Sequence, residues 1–404
     1  MSTRVAILTN IPAPYRLPVF RLLSRQYDLE VVFDAPSEPN RSWTVSRDLG
    51  FPHCYVKGFT IPYRRKRSDL QLEDERYLQV RYGIVPALHR IRPRVVVSLE
   101  LGLRTLQAAW YSRLTGIPMI LWWEGTPHSD GWVSENRRRV RRYLVRQAAR
   151  FWTNGEESAE LLREYGADSA AIDRGFIAMD TRGFRETVRS RLPEREAIRN
   201  RFGLKGAVIL VVGQIVARKG VEEFVRALEI LRGRTKASFS VLWIGDGPER
   251  SRLEQYKLQH PDCNLQVLSF RPVDEFPDFY AAADIFVLPT LDDVWGLVAV
   301  EATVAGLPQI FSPYAGATRE LLARGAPGCV ADPRISEEFA DALCKFVEDV
   351  PPRAEHAVIN FISEAYSPET CARRAHESIE AALNGHRRSN AGGQEGRAME
   401  RPAG

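Results

Sequence analysis

Val208-Ile209-Leu210-Val211-Val212-Gly213-Gln214-Ile215-Val216-Ala217-Arg218-Lys219-Gly220 is the stretch that decides the fold. Five consecutive apolar residues end in a glycine, a short loop carries two adjacent cations, and a helical pattern starts at Val221. A strand that is apolar on both faces has to be covered on both, which is the habit of parallel sheets. The loop also has what a diphosphate needs. Gly213 permits close backbone approach, while Arg218, Lys219 and a helix N-terminus supply positive charge. A polar strand-to-helix turn with solvated cations accounts for the same residues. The stretch lacks the Gly-Lys-Ser/Thr of a P-loop and is not a Gly-x-Gly-x-x-Gly fingerprint.

The same alternation runs along the whole chain. Apolar runs at Val5–Thr9, Leu29–Phe33, Val95–Leu99 and Met119–Trp123 predict strands in the first half. Val208–Val212, Phe239–Ile244, Leu265–Leu268 and Ile285–Leu288 do so in the second. Strands separated by helical patterns predict an α/β fold with doubly wound sheets. A chain of 404 residues is long for one core and suits two domains. The polar segment Thr181–Leu204 divides the two sets, so residues 1–185 are expected to form one domain and 186–367 a second. Pro368–Leu383 reads as one helix, expected to join the first domain. Residues 384–404 are rich in Gly, Arg and Ala without apolar periodicity, and disorder is expected there.

Composition narrows the class. A chain that is 44% hydrophobic and 26% charged is expected to be globular and soluble. No stretch approaches the roughly 18 uncharged apolar residues that suggest a membrane span. Met1–Leu8 leads directly into a strand and does not resemble a secretory signal. The cysteines, Cys54, Cys263, Cys329, Cys344 and Cys371, are scattered, odd in number and without a Cys-x-x-Cys pair. That argues against a disulfide framework and a structural zinc, and a cytoplasmic location is expected.

Charge is unevenly spread. Residues 51–150 carry 19 basic against 8 acidic residues, which suits an anionic partner. An arginine-rich solvated surface explains it equally well. Ser134–Phe151 reads as a helix with Val140, Tyr143, Leu144, Ala148 and Phe151 on one face and seven arginines from Arg137 to Arg150 around it. Tyr63-Arg64-Arg65-Lys66-Arg67 adds to the basic region. Such a helix can lie on an anionic membrane surface, so peripheral association with the inner face of a membrane is an expectation. Packing of its apolar face on a sheet is the competing explanation. Nucleic acid is not expected as a partner.

The segment Asp284–Gly316 carries the most chemistry. The strand Ile285–Leu288 runs into Pro289-Thr290-Leu291-Asp292-Asp293-Val294-Trp295-Gly296, and a helix is expected from about Gly296 through Ala302. The free N–H groups of Leu297 and Val298 at its start form an anion site. Asp293 precedes this helix, where it can hydrogen-bond sugar hydroxyls or simply cap the helix. Glu301 lies inside a helix otherwise full of Ala and Val, and a carboxylate there needs a partner, such as a ribose. Gly245-Asp246-Gly247-Pro248-Glu249 reads as a structural strand-to-helix turn.

Taken in order, Gly213…Arg218-Lys219-Gly220, Gly245–Glu249, Phe270-Arg271-Pro272, Ala282–Pro289, Gly296–Ala302 and Ala305-Gly306-Leu307-Pro308 resemble the family 4 retaining glycosyltransferases. The resemblance is dense from about 205 to 325 and thinner before 185. It implies the GT-B fold, two Rossmann-like domains facing a cleft. The family's paired acids are usually two glutamates separated by seven residues; this chain has the spacing with Asp293 and Glu301. Pro313–Glu320 resembles the family's Gly-Gly-x-x-Glu turn, with Ala317 at the second glycine. Phe176–Phe184 resembles the Gly-Val-Asp-Thr-x-x-Phe element at the domain crossing.

The first half departs further. The family's Gly-Gly loop is replaced by Asn10-Ile11-Pro12-Ala13-Pro14-Tyr15-Arg16-Leu17-Pro18, from which Arg16 and Asn10 could face the cleft. Where the family often has a histidine beside the donor sugar, Glu124 stands nearest and His128 follows four residues later. The resemblance thus implies a metal-independent, retaining transfer from a nucleotide-diphosphate sugar to a saccharide or lipid-linked acceptor in cell-surface glycoconjugate synthesis. No bound cofactor is expected. Arg218 and Lys219 would clamp the diphosphate with Gly213, Gly296, Leu297 and Val298. Asp293 would hold the sugar, Glu301 the ribose, and backbone around Arg271 the base. Glu124 would complete the catalytic set, and Arg16 and His128 would lie on the acceptor side. A nucleotide-sugar epimerase of the same fold and a non-catalytic partner subunit remain alternatives; a change in the donor sugar without any acceptor, or no activity at all, would distinguish them.

Overall fold

The computed structural model describes residues 2–38, 46–67, 70 and 72–399. All eight apolar runs form strands within one residue of the expected bounds. The chain divides into two compact units. Met1–Tyr63, Tyr77–Met179 and Pro368–Gly404 make up the first, and Arg64–Arg76 with Asp180–Ser367 the second.

The strands of the first unit are β1 (Arg4–Thr9), β2 (Asp28–Phe33), β3 (His53–Tyr55), β6 (Val95–Leu99), β7 (Met119–Trp123), β8 (Arg150–Thr153) and β9 (Ile172–Arg174); between β3 and β6 the chain forms the hairpin β4 (Gly58–Arg67) and β5 (Leu72–Arg81), whose portion Arg64–Arg76 belongs to the second unit. The main sheet runs β3-β2-β1-β6-β7-β8-β9, every described pair parallel. Successive residues of β1 go to opposite cores: Val5 and Ile7 pack with Leu17, Phe20 and the C-terminal helix, while Ala6 and Leu8 pack with Ile84, Leu88 and Leu144. Both faces are dry, which is why the strands read as unbroken apolar runs.

Two expectations are corrected here. The arginine-rich helix covers Glu135–Gln147 and stops there. Ala148 is extended, and Phe151 with Trp152 and Thr153 belongs to β8, paired with β7. Aromatic and β-branched residues favour the buried strand slot between β7 and β9 over another helical turn. The C-terminal helix runs Pro368–Met399 rather than ending near Leu383. It is anchored by Cys371, Ala375, Ile379 and Leu383 in the first unit's core. No proline interrupts 384–399, and extending a formed helix is far easier than starting one. Residues 400–404 lie outside the described residues.

The second unit holds β10 (Ala207–Val212), β11 (Phe239–Ile244), β12 (Asn264–Leu268), β13 (Ile285–Leu288), β14 (Gln309–Phe311) and β15 (Gly328–Val330). Their order is β12-β11-β10-β13-β14-β15, again parallel. The order reverses direction between β10 and β13, and in open α/β sheets the crevice beyond the carboxyl ends at such a point is where ligands bind.

Candidate functional site

Two loops leave the carboxyl ends of β10 and β13 and are sewn together. A Cβ on Gly220, whose φ is +70°, would lie 1.8 Å from the Pro289 carbonyl oxygen, so only glycine allows this approach. The Arg218 carbonyl accepts from the Leu291 N–H at 2.8 Å and the Thr290 hydroxyl at 3.2 Å. The Arg218 guanidinium donates to the Asp292 carbonyl at 3.3 Å and to Gln214 Oε1 at 3.1 Å. The helix Leu297–Val304 follows Gly296, which is left-handed at φ +94° and carries no capping side chain. Leu297 and Val298 stand at the uncapped start of this helix, which follows β13, and Gly213 follows β10, the strand paired with β13.

Lys219 Nζ donates to Asp293 Oδ2, both side chains largely buried. Asp293 Oδ1 accepts from the Trp295 N–H at 3.3 Å. Burial would raise the Asp293 carboxyl, but Lys219 and Arg218 outweigh it and hold it below the usual range. With two cations facing it, Asp293 is ionised at neutral pH. The structure thus brings Arg218, Lys219 and Asp293 together.

Glu301, the fifth residue of its helix, has other company. Its Oε2 accepts from the Tyr280 hydroxyl at 2.5 Å. Tyr280 is fully buried, stacked 6.1 Å from Phe286 and edge-on to Phe184. Burial pushes the Glu301 carboxyl up to about 7, opposed by the Tyr280 hydrogen bond. Arg271 stands on the loop after β12, half-exposed, 3.9 Å from Glu275.

In the first unit Arg16 and Glu124 are brought together. Arg16 is buried, donates to Glu124 Oε1 at 2.8 Å, and reaches Thr9 Oγ1 at 3.2 Å and Asn10 Oδ1 at 3.1 Å. Its guanidinium lies 4.9 Å from the Trp122 ring centroid. The proline loop between β1 and the helix Leu17–Ser24 delivers it to the carboxyl ends of β1 and β7. His128 sits half-buried in the short helix Pro127–Asp130, whose start is held by the reciprocal Thr126–Ser129 capping bonds.

The basic run Tyr63–Arg67 is not all surface. Arg64 and Lys66 are solvated, but Arg65 is buried and donates to Asp292 Oδ2 at 2.8 Å, and buried Arg67 lies 3.5 Å from the same oxygen. Asp292 thus neighbours the Arg218–Lys219–Asp293 group and escaped the sequence reading, as did Tyr280. The signal for Arg65 and Arg67 was the two-residue period of a strand, which turns alternate side chains to one face.

Comparison with known proteins follows this division. The model for glycosyl transferases group 1 matches residues 194–360, and that for a glycosyl transferase 4-like domain matches residues 13–174. The 2-deoxystreptamine glucosyltransferase of Streptomyces kanamyceticus is 30% identical over 218 residues, 53% of this chain and 55% of that protein. The D-inositol 3-phosphate glycosyltransferase of Paenarthrobacter aurescens is 29% identical over 264 residues, 60% of this chain and 62% of that one. The chain thus spans little more than half the length of these relatives. Among solved structures, Anabaena HepE in complex with UDP superposes with a TM-score of 0.69 at 17% identity, covering 94% of this chain and all of that one. HepE has also been solved with UDP-glucose. At that identity the likeness shows the GT-B fold.

Proposed function

From the premise that this chain belongs to the glycosyl transferases group 1 family, we propose that it is a retaining glycosyltransferase using a nucleotide-diphosphate sugar. The observation that carries this is the sewn pair of loops setting Arg218, Lys219 and Asp293 beside the start of the helix Leu297–Val304. In the reaction the anomeric carbon's bond to the diphosphate oxygen breaks and its electron pair stays on that oxygen. A new bond forms to an acceptor hydroxyl oxygen, whose proton passes to the departing diphosphate oxygen. Arg218, Lys219 and the N–H groups of Leu297 and Val298 stabilise the charge gathering on the diphosphate, in place of a metal. Asp293, kept ionised, orients the sugar hydroxyls. Glu301 takes the ribose, and backbone around Arg271 meets the base. Arg16, Glu124 and His128 act on the sugar and acceptor side. The acceptor is a saccharide or lipid-linked saccharide used in cell-surface polysaccharide synthesis, and the enzyme works in the cytoplasm against the inner face of the membrane.

The test is a thermal-shift screen with UDP, GDP and ADP and their hexose conjugates, followed by nucleoside diphosphate release with and without chelator. UDP and UDP-glucose come first because HepE was solved with both. A ligand at a hundredfold over its Kd stabilises by about 2.7 kcal/mol. If none of these compounds moves the melting temperature, the donor assignment fails; if release needs an added divalent ion, metal independence fails.

A further inference from the structure

The helix Leu103–Thr115 turns its small residues inward. Thr105, Ala108, Ala109 and Ser112 are buried. On the opposite side, where a helix of a globular domain carries charge, stand Leu103, Leu106, Trp110 and Leu114. Steps of three, four and four residues put them in one stripe, and they are 44%, 40%, 55% and 65% exposed. The arginine-rich helix Glu135–Gln147 packs beside it and adds Val140 and Tyr143, 48% and 44% exposed. Single exposed apolar side chains are ordinary, but six on two adjacent helices are not.

The surrounding charge identifies the occupant. The two helices hold eight arginines and one acid, Glu135. Arg104 and Arg141 are engaged inward with Asp34 and Asp130. Arg113, Arg139 and Arg146 are exposed. Arg113 flanks Trp110 one turn on, and Arg139 and Arg146 bracket Tyr143. A second copy of the chain would press like charges together across this face. An anionic leaflet instead takes arginines at its headgroups and Trp and Leu side chains just below them. No described helix is long and apolar enough to cross a membrane, so the contact lies at the surface.

We propose that the stripe Leu103–Leu106–Trp110–Leu114, with Val140 and Tyr143 and the exposed arginines around them, seats the protein on an anionic lipid surface. This rests on the membrane-side working place given above and names the face that achieves it. The working depth is that of the interface, with apolar side chains entering only the headgroup–acyl boundary.

Cosedimentation with vesicles of phosphatidylglycerol and phosphatidylcholine, against phosphatidylcholine alone, tests it. The wild type is expected to bind the anionic vesicles and to release in high salt. Trp110→Ser with Leu114→Ser should weaken that binding roughly tenfold or more, and Arg139→Gln with Arg146→Gln should remove the preference for anionic lipid. Leu258→Ser, at another exposed leucine in the second unit, should change nothing. Every variant is checked by melting temperature and UDP binding, so a failure of donor recognition is seen separately from a failure of docking. Equal binding by wild type and the Trp110–Leu114 variant overturns the proposal. So does a wild type that ignores anionic vesicles, or one that is a dimer converted to monomer by the same substitutions.

Discussion

Raising the pH from about 6 to about 8 should take Glu301 from roughly one-tenth to nine-tenths ionised, because its carboxyl is pushed up to about 7. Ribose hydroxyls donate hydrogen bonds, and a protonated carboxyl is the poorer acceptor for them. If only the ionised form holds the ribose, nucleoside diphosphate affinity rises roughly tenfold across that interval. The unliganded fold responds with the opposite sign. An acid whose pKa is raised on folding contributes stability that is complete below its unfolded value and lost as pH rises through about 7. The free protein should therefore melt lower at the alkaline end while UDP stabilises it more. Calorimetric titration of UDP at a series of pH values reads the affinity directly.

The phosphate of UDP titrates in a similar range, so the decisive comparison is with Glu301→Gln, which should keep the nucleotide's own slope and lose the remainder. Tyr280→Phe adds a second handle. The Tyr280 hydroxyl donates to Glu301 Oε2 and is the one influence lowering that carboxyl, so removing it should move the midpoint to higher pH. If wild type and Glu301→Gln show the same pH slope for UDP, Glu301 is not the ribose ligand and this reasoning is wrong.

The cations should act on turnover. Lys219→Ala and Arg218→Ala are each expected to slow transfer about 10²–10³-fold while UDP-free folding is retained, since the proposed function gives each the role of a donor to developing charge; activity within about threefold of wild type in both would remove the diphosphate clamp. The buried tie between Arg65 and Asp292 should act on stability. Arg65→Gln removes one of two buried guanidiniums from Asp292, and Asp292→Asn removes the carboxylate both face, so Asp292→Asn should cost the more, up to about 3–5 kcal/mol; unchanged denaturation midpoints would show the tie to be incidental.

What the sequence discloses and what it hides follow from one physical difference. Central strands of a parallel sheet bury both faces, so Ile7, Val97, Leu121, Leu210 and Val287 sit in unbroken apolar runs that need no tertiary context to recognise. The loops at their carboxyl ends announce themselves through glycines and paired cations, as at Arg218-Lys219-Gly220. β8 was hidden because Arg150-Phe151-Trp152-Thr153 continues the apolar spacing of the helix before it, and four residues are too few to change the apparent period. The basic run at Tyr63–Arg67 hides its two faces for a related reason. Only once the segment is known to be a strand does the split between solvated Arg64 and Lys66 and buried Arg65 and Arg67 follow.

The adjacent acids Asp292 and Asp293 show why spacing finds one residue of this cluster and misses its neighbour. The seven-residue gap to Glu301 singles out Asp293, and the structure gives Asp293 the contact with Lys219. Asp292 has no such mark, yet it is the more buried and holds the hairpin's arginines while its carbonyl takes Arg218. In an extended loop consecutive side chains point to opposite sides, so one acid meets Lys219 and the next meets the hairpin's arginines. The helix Leu103–Thr115 obeys the same logic in reverse. Close contact with the sheet favours small side chains, so Ala108, Ala109 and Ser112 go in beside Tyr111, while Leu103, Leu106, Trp110 and Leu114 are turned out. A pattern that equates large apolar residues with the core assigns that helix its faces the wrong way round. The outward stripe becomes legible only where accessible surface and neighbouring charge are seen together.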